Sequence, residues 1–231
     1  MSIFECNRLT KRYGKLTALN SIDLKLESGR IVGLLGPNGS GKTTLIKLAN
    51  RLLHPEEGEL RIDGYLPGVE TKKIVSYLPD KDYLPDWMKT GQLLSFFSEC
   101  YEDFDRERAN EMLASLNIPD NMSLKKMSKG TREKLQLILT MSRRARVYLL
   151  DEPIAGVDPA ARDYILRTII QNYEEDSLVL ISTHLIADVE SVLDEAVFLK
   201  NGEIVLHEGV DEIREKTGKS VDAYFREVFR C

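Results

Sequence analysis

The sequence predicts an α/β fold with a mixed, mainly parallel sheet, an antiparallel β subdomain at the N-terminus and an inserted α-helical subdomain. Strand-like segments follow one another without helices between them at the N-terminus, which indicates the antiparallel part. Residues 82–146 carry helical periodicity, which indicates the insertion. After residue 146, buried-looking strands alternate with helices, and this alternation is typical of a parallel sheet.

The strands are predicted from short apolar or alternating runs that are bounded by turn residues. The run at residues 31–35 is apolar and is expected to be buried on both faces, whereas residues 22–26 alternate apolar and polar side chains. The predicted strands before the insertion are residues 3–7, 22–26, 31–35, 59–62 and 74–78. Those after the insertion are residues 147–150, 178–182, 196–199 and 204–207.

The helices are predicted from apolar residues at helical spacing. Those of the insertion are residues 91–101, 105–116 and 131–144, with a break at residues 117–120. The others are residues 45–50, 159–173, 185–193 and 220–229. The last of them carries an apolar stripe that we expect to pack on the body of the protein or on a partner.

The chain is expected to form one domain over its 231 residues, of which 42% are hydrophobic and can fill a core. The α/β core with its antiparallel part is assigned to residues 1–81 and 147–218. The helical subdomain is assigned to residues 82–146 and a C-terminal helix to residues 219–231.

The composition argues against several classes of protein. Lys and Arg number 32 against 37 Asp and Glu, and this net charge of -5 without a basic block disfavours nucleic-acid binding. Cys6, Cys100 and Cys231 are far apart, so neither a disulfide framework nor a zinc site is expected, and a reducing cytosol fits best. We expect neither a signal peptide nor a membrane span, because the apolar runs are too short.

A glycine-rich motif follows the predicted strand at residues 31–35. Residues 36–43 read GPNGSGKT and precede a predicted helix, which is the context of a phosphate-binding loop. Backbone N–H groups of such a loop hold phosphates, Lys42 would reach the β- and γ-phosphates, and the Thr43 hydroxyl would bind Mg²⁺. The alternative, a purely structural glycine-rich turn, is disfavoured by the complete pattern. The sequence therefore predicts a P-loop NTPase core that binds ATP through Gly36, Pro37, Asn38, Gly39, Ser40, Gly41, Lys42, Thr43 and Thr44.

Two carboxylates follow the apolar run at residues 147–150. Asp151 and Glu152 would lie at the carboxyl end of a parallel strand, where α/β sheets bind ligands. Asp151 would hold Mg²⁺ directly or through water, and Glu152 would act as general base on the attacking water. Acidic residues also commonly cap turns, so this pattern becomes strong only in combination with the loop.

Together these motifs resemble the ATP-binding cassette (ABC) ATPases, in order and over nearly the whole chain. Tyr13 matches the aromatic residue that stacks on adenine in that family, and Asp158, in the run AGVDP, matches its D-loop. His184 follows the next predicted strand as the family's switch histidine does, so the resemblance implies a contact with the γ-phosphate. The resemblance thus implies catalytic roles for Glu152, His184 and Lys42.

Two positions depart from the family pattern. Asp80 stands where the family usually has Gln, and the resemblance implies that its carboxylate contributes to Mg²⁺ and nucleotide binding. Residues 127–131 read MSKGT where the family signature reads approximately LSGGQ, so Ser128 and Gly130 remain as nucleotide-binding candidates while Lys129 replaces glycine. Both departures resemble export-type relatives.

The same turn also predicts a helix start. Gly130 is expected as the N-cap, and Glu133 could reach back in half of a capping box. A helix N-terminus attracts anions, so a cap and a phosphate site are compatible.

The resemblance implies a head-to-tail dimer in which the phosphate loop of one subunit and the signature turn of another enclose each ATP. The second ATPase subunit could be identical or homologous. The expected setting is the cytoplasmic face of the cell membrane, where integral-membrane permease subunits would hold the protein and export a substrate. The alternatives are a soluble ABC ATPase that acts on ribosomes or DNA, and a nucleotide-sensing module without catalysis.

Overall fold

The structure is a computed structural model that describes residues 2–229, except for the side chains of residues 160 and 161. Two sheets form its framework. The smaller sheet contains β1 (Ser2–Tyr13), β2 (Leu16–Glu27) and β4 (Glu57–Ile62), and the larger one contains the remaining strands. These are β3 (Arg30–Leu35), β5 (Val75–Leu78), β6 (Val147–Asp151), β7 (Leu178–Thr183), β8 (Glu195–Lys200) and β9 (Glu203–Gly209).

The pairing of the strands confirms the predicted fold class. The larger sheet has the order β5-β6-β7-β3-β8-β9, and all of its neighbouring pairs are parallel except β8 and β9. The smaller sheet has the order β2-β1-β4 and is antiparallel. The sheet of the core is therefore mixed and mainly parallel, with a separate antiparallel sheet beside it.

Burial explains the apolar runs of the central strands. Every residue of β6 and β7 is buried, because helices or the smaller sheet cover both faces of the larger sheet. The register aligns the carboxyl ends of these two strands, with Asp151, the last residue of β6, opposite Ser182, the last but one of β7. Polar side chains at this edge are consequently brought together at the carboxyl ends of the parallel strands.

The helices lie on and beside the sheets. They are α1 (Lys42–Ala49), α2 (Val69–Ile74), α3 (Thr90–Cys100), α4 (Arg106–Ser115), α5 (Lys129–Met141), α6 (Pro159–Asn172), α7 (Ile186–Val189), α8 (Val210–Thr217) and α9 (Val221–Val228). The helices α2 and α8 were absent from the sequence prediction, and α7 is shorter than the predicted helix at residues 185–193. Within the described residues, no helix is long and apolar enough to cross a membrane.

The helices α3, α4 and α5 enclose a hydrophobic cluster of their own. Its buried members come from residues 84–139, and they include Leu94, Phe97, Leu113, Leu124 and Ile138. Because this cluster is separate from the two that flank the large sheet, the helical part has its own packing. The assignment of residues 82–146 as a subdomain stays a prediction.

The C-terminal helix α9 packs on the body of the protein. Phe225 lies edge-on to Phe198 of β8, with their ring centroids 5.2 Å apart, and Val221 is fully buried. The predicted apolar stripe thus packs on the hydrophobic cluster at one face of the large sheet. Residues 230 and 231, with Cys231, lie outside the described residues.

Candidate functional site

The phosphate loop connects the end of β3 to the start of α1. Gly41 precedes the helix with φ 114, a left-handed conformation, and a Cβ there would lie 2.5 Å from the Ala18 carbonyl oxygen. At Gly36 a Cβ would lie 2.4 Å from the Leu199 carbonyl oxygen. The glycines are therefore required for the chain to pass this close to its neighbours. As a result, the first turn of α1 lines an open cavity.

Lys42 is buried, and its side chain is held by the loop itself. Its Nζ donates to the carbonyl oxygens of Gly36, at 2.7 Å, and of Pro37, at 3.3 Å. The same ammonium lies 3.4 Å from Oε1 of Glu152. A buried cation costs free energy unless it is paired, and this lysine has both carbonyl and carboxylate partners. The arrangement keeps a positive charge at the loop.

Asp151 lies beneath Thr43 and is fully buried. Its Oδ1 accepts hydrogen bonds from Thr43 Oγ1, at 3.2 Å, and from Ser182 Oγ, at 2.5 Å. Burial raises the pKa of the Asp151 carboxyl above its ordinary value, the two hydroxyl groups oppose this rise, and the nearby Asp80 and Glu152 charges add to it.

The second oxygen of Asp151 indicates what this place could hold. Within the described residues, Oδ2 is buried and has no hydrogen-bond partner. A buried carboxylate oxygen without a partner, beside a threonine hydroxyl, fits a Mg²⁺ ion and its water ligands, because Mg²⁺ prefers oxygen donors and keeps several waters. The residues present are therefore suitable for this metal.

Glu152 follows Asp151, and its carboxylate lies between the His184 ring and the Lys42 ammonium. Its Oε2 lies 3.0 Å from Nδ1 of His184, and its Oε1 lies beside Lys42. Its φ of 52 is left-handed, a strained conformation for a residue with a side chain, and its backbone N–H donates to the Ser182 carbonyl at 2.9 Å. A side chain fixed in this way can act on a molecule in the cavity.

The cavity above these residues has a volume of about 460 Å³. Tyr13, at the end of β1, lines it and is 45% exposed, while Asp80, Glu152 and His184 line it with the loop. The structure thus brings together most of the predicted nucleotide-binding residues. Those that line the cavity are Tyr13, Asn38, Gly39, Ser40, Gly41, Lys42, Thr43, Thr44, Asp80, Glu152 and His184.

Gly36 and Pro37, in the phosphate loop, and Asp151, at the end of β6, do not line the cavity, and three further predicted residues lie elsewhere. Ser128 and Gly130 are exposed at the start of α5 and do not line the 460 Å³ cavity. Asp158 is exposed just before α6, and its carbonyl accepts from the Arg162 N–H at 3.0 Å. Within one chain, these three residues therefore do not line the same cavity as the phosphate loop.

The prediction that Gly130 caps α5 was wrong. The N-cap is Ser128, whose Oγ accepts from the Thr131 N–H at 3.2 Å, and the helix starts at Lys129. Serine supplies an acceptor oxygen that glycine lacks, which explains why the helix starts two residues earlier than expected. Glu133 lies 3.7 Å from Lys129 Nζ, one turn along the same helix.

The role of Ser182 was missed by the sequence analysis. Its hydroxyl is buried against Asp151, and it becomes a neighbour only through the parallel register of β6 and β7. A polar residue at the end of a predicted parallel strand was the available signal, because such ends meet at one edge of the sheet.

The comparisons with known proteins agree with this geometry. A protein-family model described as "ABC transporter" matches residues 19–155. The chain is 30% identical over 221 residues to "ABC transporter ATP-binding protein YtrB" of Bacillus subtilis (strain 168), covering 93% of this chain and 74% of that protein. It is 28% identical over 226 residues to "Daunorubicin resistance ATP-binding protein DrrA3" of Streptomyces coeruleorubidus, covering 94% and 72%.

A solved structure of an "ATP binding subunit of ABC transporter" superposes with a TM-score of 0.89 at 27% identity, covering 99% of this chain and 100% of that one. This chain and that subunit therefore share the fold that positions the site described above. The chain belongs to the ABC transporter family and is one of its ATP-binding ATPase subunits.

Proposed function

We propose that two such subunits bind ATP with Mg²⁺ between them, hydrolyse it and thereby drive a separate membrane permease that exports a substrate. The observation that carries this proposal is the convergence of Lys42, Asp151, Glu152 and His184 around one cavity next to a phosphate loop. A loop alone would support nucleotide binding, whereas the paired base and histidine favour hydrolysis.

The phosphate loop and Tyr13 would bind the nucleotide. The backbone N–H groups of residues 38–44 would hold the phosphates, with Lys42 beside the β- and γ-phosphates. Tyr13 lies at the edge of the cavity and is exposed enough to stack on adenine. To reach a phosphate, the Lys42 ammonium has to exchange its present contact with Glu152, so ATP binding would release that carboxylate.

Thr43, Asp151 and Asp80 would hold Mg²⁺, which neutralises charge on the phosphates when it is bound. Thr43 and Asp151 already share a hydrogen bond, and Asp80 lines the same cavity. We assign Asp151 the part of a ligand that acts directly or through water, because its Oδ2 is unpaired within the part of the chain that the structure describes.

Glu152 would act as the general base. Its carboxylate would accept a proton from the attacking water, and the oxygen of that water would form a bond to the γ-phosphorus as the bond to the leaving ADP breaks. His184 contacts Glu152 at 3.0 Å, so it can orient that carboxylate and contact the γ-phosphate from the same side. Lys42 would stabilise the charge on the phosphate oxygens.

A second subunit would complete each site. Ser128 and Gly130 lie on exposed backbone at a helix start, and Asp158 lies on another exposed turn. We propose that they contact the ATP that is bound to the phosphate loop of the partner. ATP would then join the two subunits, and the loss of phosphate would weaken the contact.

A groove between the core and the helical part is the proposed permease site. Its volume is about 560 Å³, and its lining combines Leu52, Tyr83 and Tyr101 with basic side chains. Arg143 also lines the groove but is buried and paired with Asp103, and the accessible basic residues are Lys47, Lys72 and Lys81. They favour an amphipathic permease segment with acidic residues. Asp80 lines both this groove and the nucleotide cavity, so it could connect nucleotide state with the permease.

The direction of transport and the location follow from the same proposal. The relative DrrA3 is named for daunorubicin resistance, and Asp80 with the Ser-Lys-Gly turn resembles export-type subunits. The chain would lie at the cytoplasmic face of the membrane through its permease, and we propose no nucleic-acid partner, given the net charge of -5.

The proposal is tested with the tagged chain purified from gently solubilised membranes. We expect integral-membrane subunits to copurify, and we expect the complex to release phosphate from ATP only when Glu152 is intact. Recovery of the chain without membrane subunits, together with active hydrolysis, would favour the soluble ATPase that acts elsewhere. A complex that binds ATP without releasing phosphate would favour the nucleotide-sensing module.

A further inference from the structure

Arg132 connects α5, the helix that follows the signature turn (residues 127–130), to the segment that contains Asp80. Arg132 is the fourth residue of α5, and its N–H donates to the Ser128 carbonyl at 3.0 Å. Its side chain is only 12% exposed, and it turns away from the exposed start of the helix to contact residues 82–86. These two places are about fifty residues apart in sequence.

The guanidinium group uses most of its donors on this segment. Nε donates to Asp82 Oδ2, Nη1 donates to Asp86 Oδ1 at 2.8 Å, and Nη2 donates to the Leu84 carbonyl at 2.5 Å. Hydrogen bonding to Asp82 is the main cause that raises the pKa of Arg132 above its ordinary value. A planar guanidinium can make these contacts simultaneously, which a lysine ammonium cannot reproduce.

The contacted segment is the connector between the core and the helical part. Residues 79–88, between β5 and α3, contain neither helix nor strand, so their position depends on side-chain contacts together with a backbone hydrogen bond from the Leu124 N–H to the Met88 carbonyl, at 3.1 Å. Asp82 also accepts from Gln136 Nε2, at 3.1 Å, one turn beyond Arg132 on the same helix. Asp80, two residues before Asp82, lines both the nucleotide cavity and the groove.

Arg132 also fixes the chain on the other side of the signature turn. Its Nη1 donates to the Leu124 carbonyl at 3.0 Å, in the short 3-10 helix Leu124–Lys126 that precedes Met127. Arg132 therefore stabilises both flanks of the turn at residues 127–130. It contacts Leu124 on the N-terminal side of the turn, and it is itself part of the helix on the C-terminal side. A shift of the connector would displace this side chain and with it both flanks of the turn.

From these contacts we infer that Arg132 is a positioning residue: it couples the Asp80 connector to the signature turn and holds Ser128 in place for the ATP of the partner subunit. This inference rests on the proposed function, because it assumes that ATP joins two subunits. Arg132 itself does not touch the nucleotide. Its effect is on the assembly of the composite site, while the ATP affinity of a single subunit is set by the phosphate loop.

The test measures subunit association and ATP affinity separately in the full chain. In a Glu152→Gln background with ATP and Mg²⁺, the dimer dissociation constant is measured by sedimentation for Arg132→Gln, Asp82→Asn and the double variant. We expect each single variant to weaken the dimer by roughly tenfold, the scale for hydrogen bonds to charged groups. The double variant should be no weaker than the worse single variant, because both remove the same contact.

Two further readouts separate positioning from general stability. ATP affinity, measured by calorimetry below the concentration at which the chain dimerises, should be unchanged in all variants. In chains with Glu152 intact, hydrolysis per subunit should recover as protein concentration rises, because association is the step that is impaired. Arg144→Gln is the control, since Arg144 pairs with Asp105 at 2.9 Å on the same subdomain without contacting the connector. It should associate normally.

The outcomes are distinct. A normal dimer in both Arg132→Gln and Asp82→Asn would overturn the inference, as would fully additive effects in the double variant. If Arg132→Gln does not fold, Asp82→Asn carries the test, because the Asp82 side chain is 41% exposed and its substitution is isosteric. If the parent Glu152→Gln chain binds ATP and does not dimerise, the proposed composite site fails instead, before Arg132 is considered.

Discussion

The phosphate loop and the signature turn are both expected to bind ATP, and they are built in opposite ways. Around the loop, Lys42 and Asp151 are buried, and their contacts with Thr43, Glu152 and Ser182 all lie within one chain. At the turn, by contrast, the residues from Ser128 to Gly130 are exposed, Ser128 is the N-cap of α5, and a Cβ at Gly130 would meet open space.

Because of this difference, the two parts should respond to substitution in different measurements. Substitutions around the loop should change nucleotide binding or chemistry in a single subunit, because the groups are already in contact. Substitutions at the turn should leave a single subunit intact and change only association, because the ligand belongs to another chain. A turn variant that lowers the ATP affinity of a single subunit, or a loop variant that changes only association, would contradict this division.

The largest expected effect concerns Glu152. Glu152→Gln keeps the size of the side chain and removes the proton acceptor, so we expect ATP turnover to fall by about 10²- to 10⁴-fold, the usual contribution of a general base. ATP affinity should be retained. Steady-state phosphate release and calorimetry measure the two quantities, and Glu174→Gln, on an outer loop that pairs with Arg108, is the matched control. Near-normal turnover in Glu152→Gln would contradict the assignment.

The next effect concerns Lys42. Lys42→Ala removes a buried cation that contacts the loop carbonyls, and we expect ATP to bind about 10- to 100-fold more weakly, as for a lost hydrogen bond to a charged group. Titration with ATP by calorimetry measures this change. Lys47→Ala, in the last turn of the same helix, is the control and should bind ATP normally. An unchanged dissociation constant for Lys42→Ala would count against the phosphate role.

A smaller effect is expected at Ser182. Ser182→Ala removes the 2.5 Å hydrogen bond to Asp151 and leaves that carboxylate less well oriented, so the Mg²⁺ concentration for half-maximal hydrolysis should rise by roughly tenfold, as for the loss of an outer-shell partner of a metal ligand. Ser177→Ala, before the start of β7, is the control. If Mg²⁺ dependence is identical in Ser182→Ala and wild type, the proposed metal site is wrong.

The smallest effect concerns Lys129. Its side chain is 82% exposed and lies 3.7 Å from Glu133, so it can add attraction for the partner's γ-phosphate only through a solvent-screened charge. Lys129→Gly should weaken ATP-driven dimerisation by no more than about threefold at low salt, and less at high salt. Sedimentation at two salt concentrations measures this. If Lys129→Gly and its parent associate equally at both salt concentrations, Lys129 does not contribute, and Ser128 and Gly130 remain as the residues of the turn that contact ATP.

The local parts of the site were predictable from the sequence. The phosphate loop is one contiguous motif. Asp151 ends a buried strand and Glu152 follows it, so their position in the sequence already indicated that they lie near the loop. Ser182 and Arg132 could not be assigned in the same way. Their partners Asp151 and Asp82 are distant in sequence and become neighbours only through strand register and helix packing.

The errors in the fold prediction also have physical causes. The helix α8 has only Val210 and Ile213 buried among charged residues, so its apolar pattern is too sparse to indicate a helix. The start of α5 was misplaced because glycine and serine both occur at N-caps, and only the structure shows that Ser128 Oγ accepts the hydrogen bond. The sheet was predictable because its central strands are continuous apolar runs bounded by polar residues.

We propose that each chain contributes the phosphate-loop half of one ATP site and the signature-turn half of a second ATP site. The most direct measurement is sedimentation of Glu152→Gln with ATP and Mg²⁺, with and without Ser128→Asp. Aspartate keeps the N-cap and places a negative charge where the partner's phosphate is expected. We predict a dimer in the parent, a monomer with unchanged ATP affinity in Ser128→Asp, and a normal dimer in Ser220→Asp, which changes the N-cap of α9. An ATP-dependent dimer in Ser128→Asp as strong as in the parent would contradict the account.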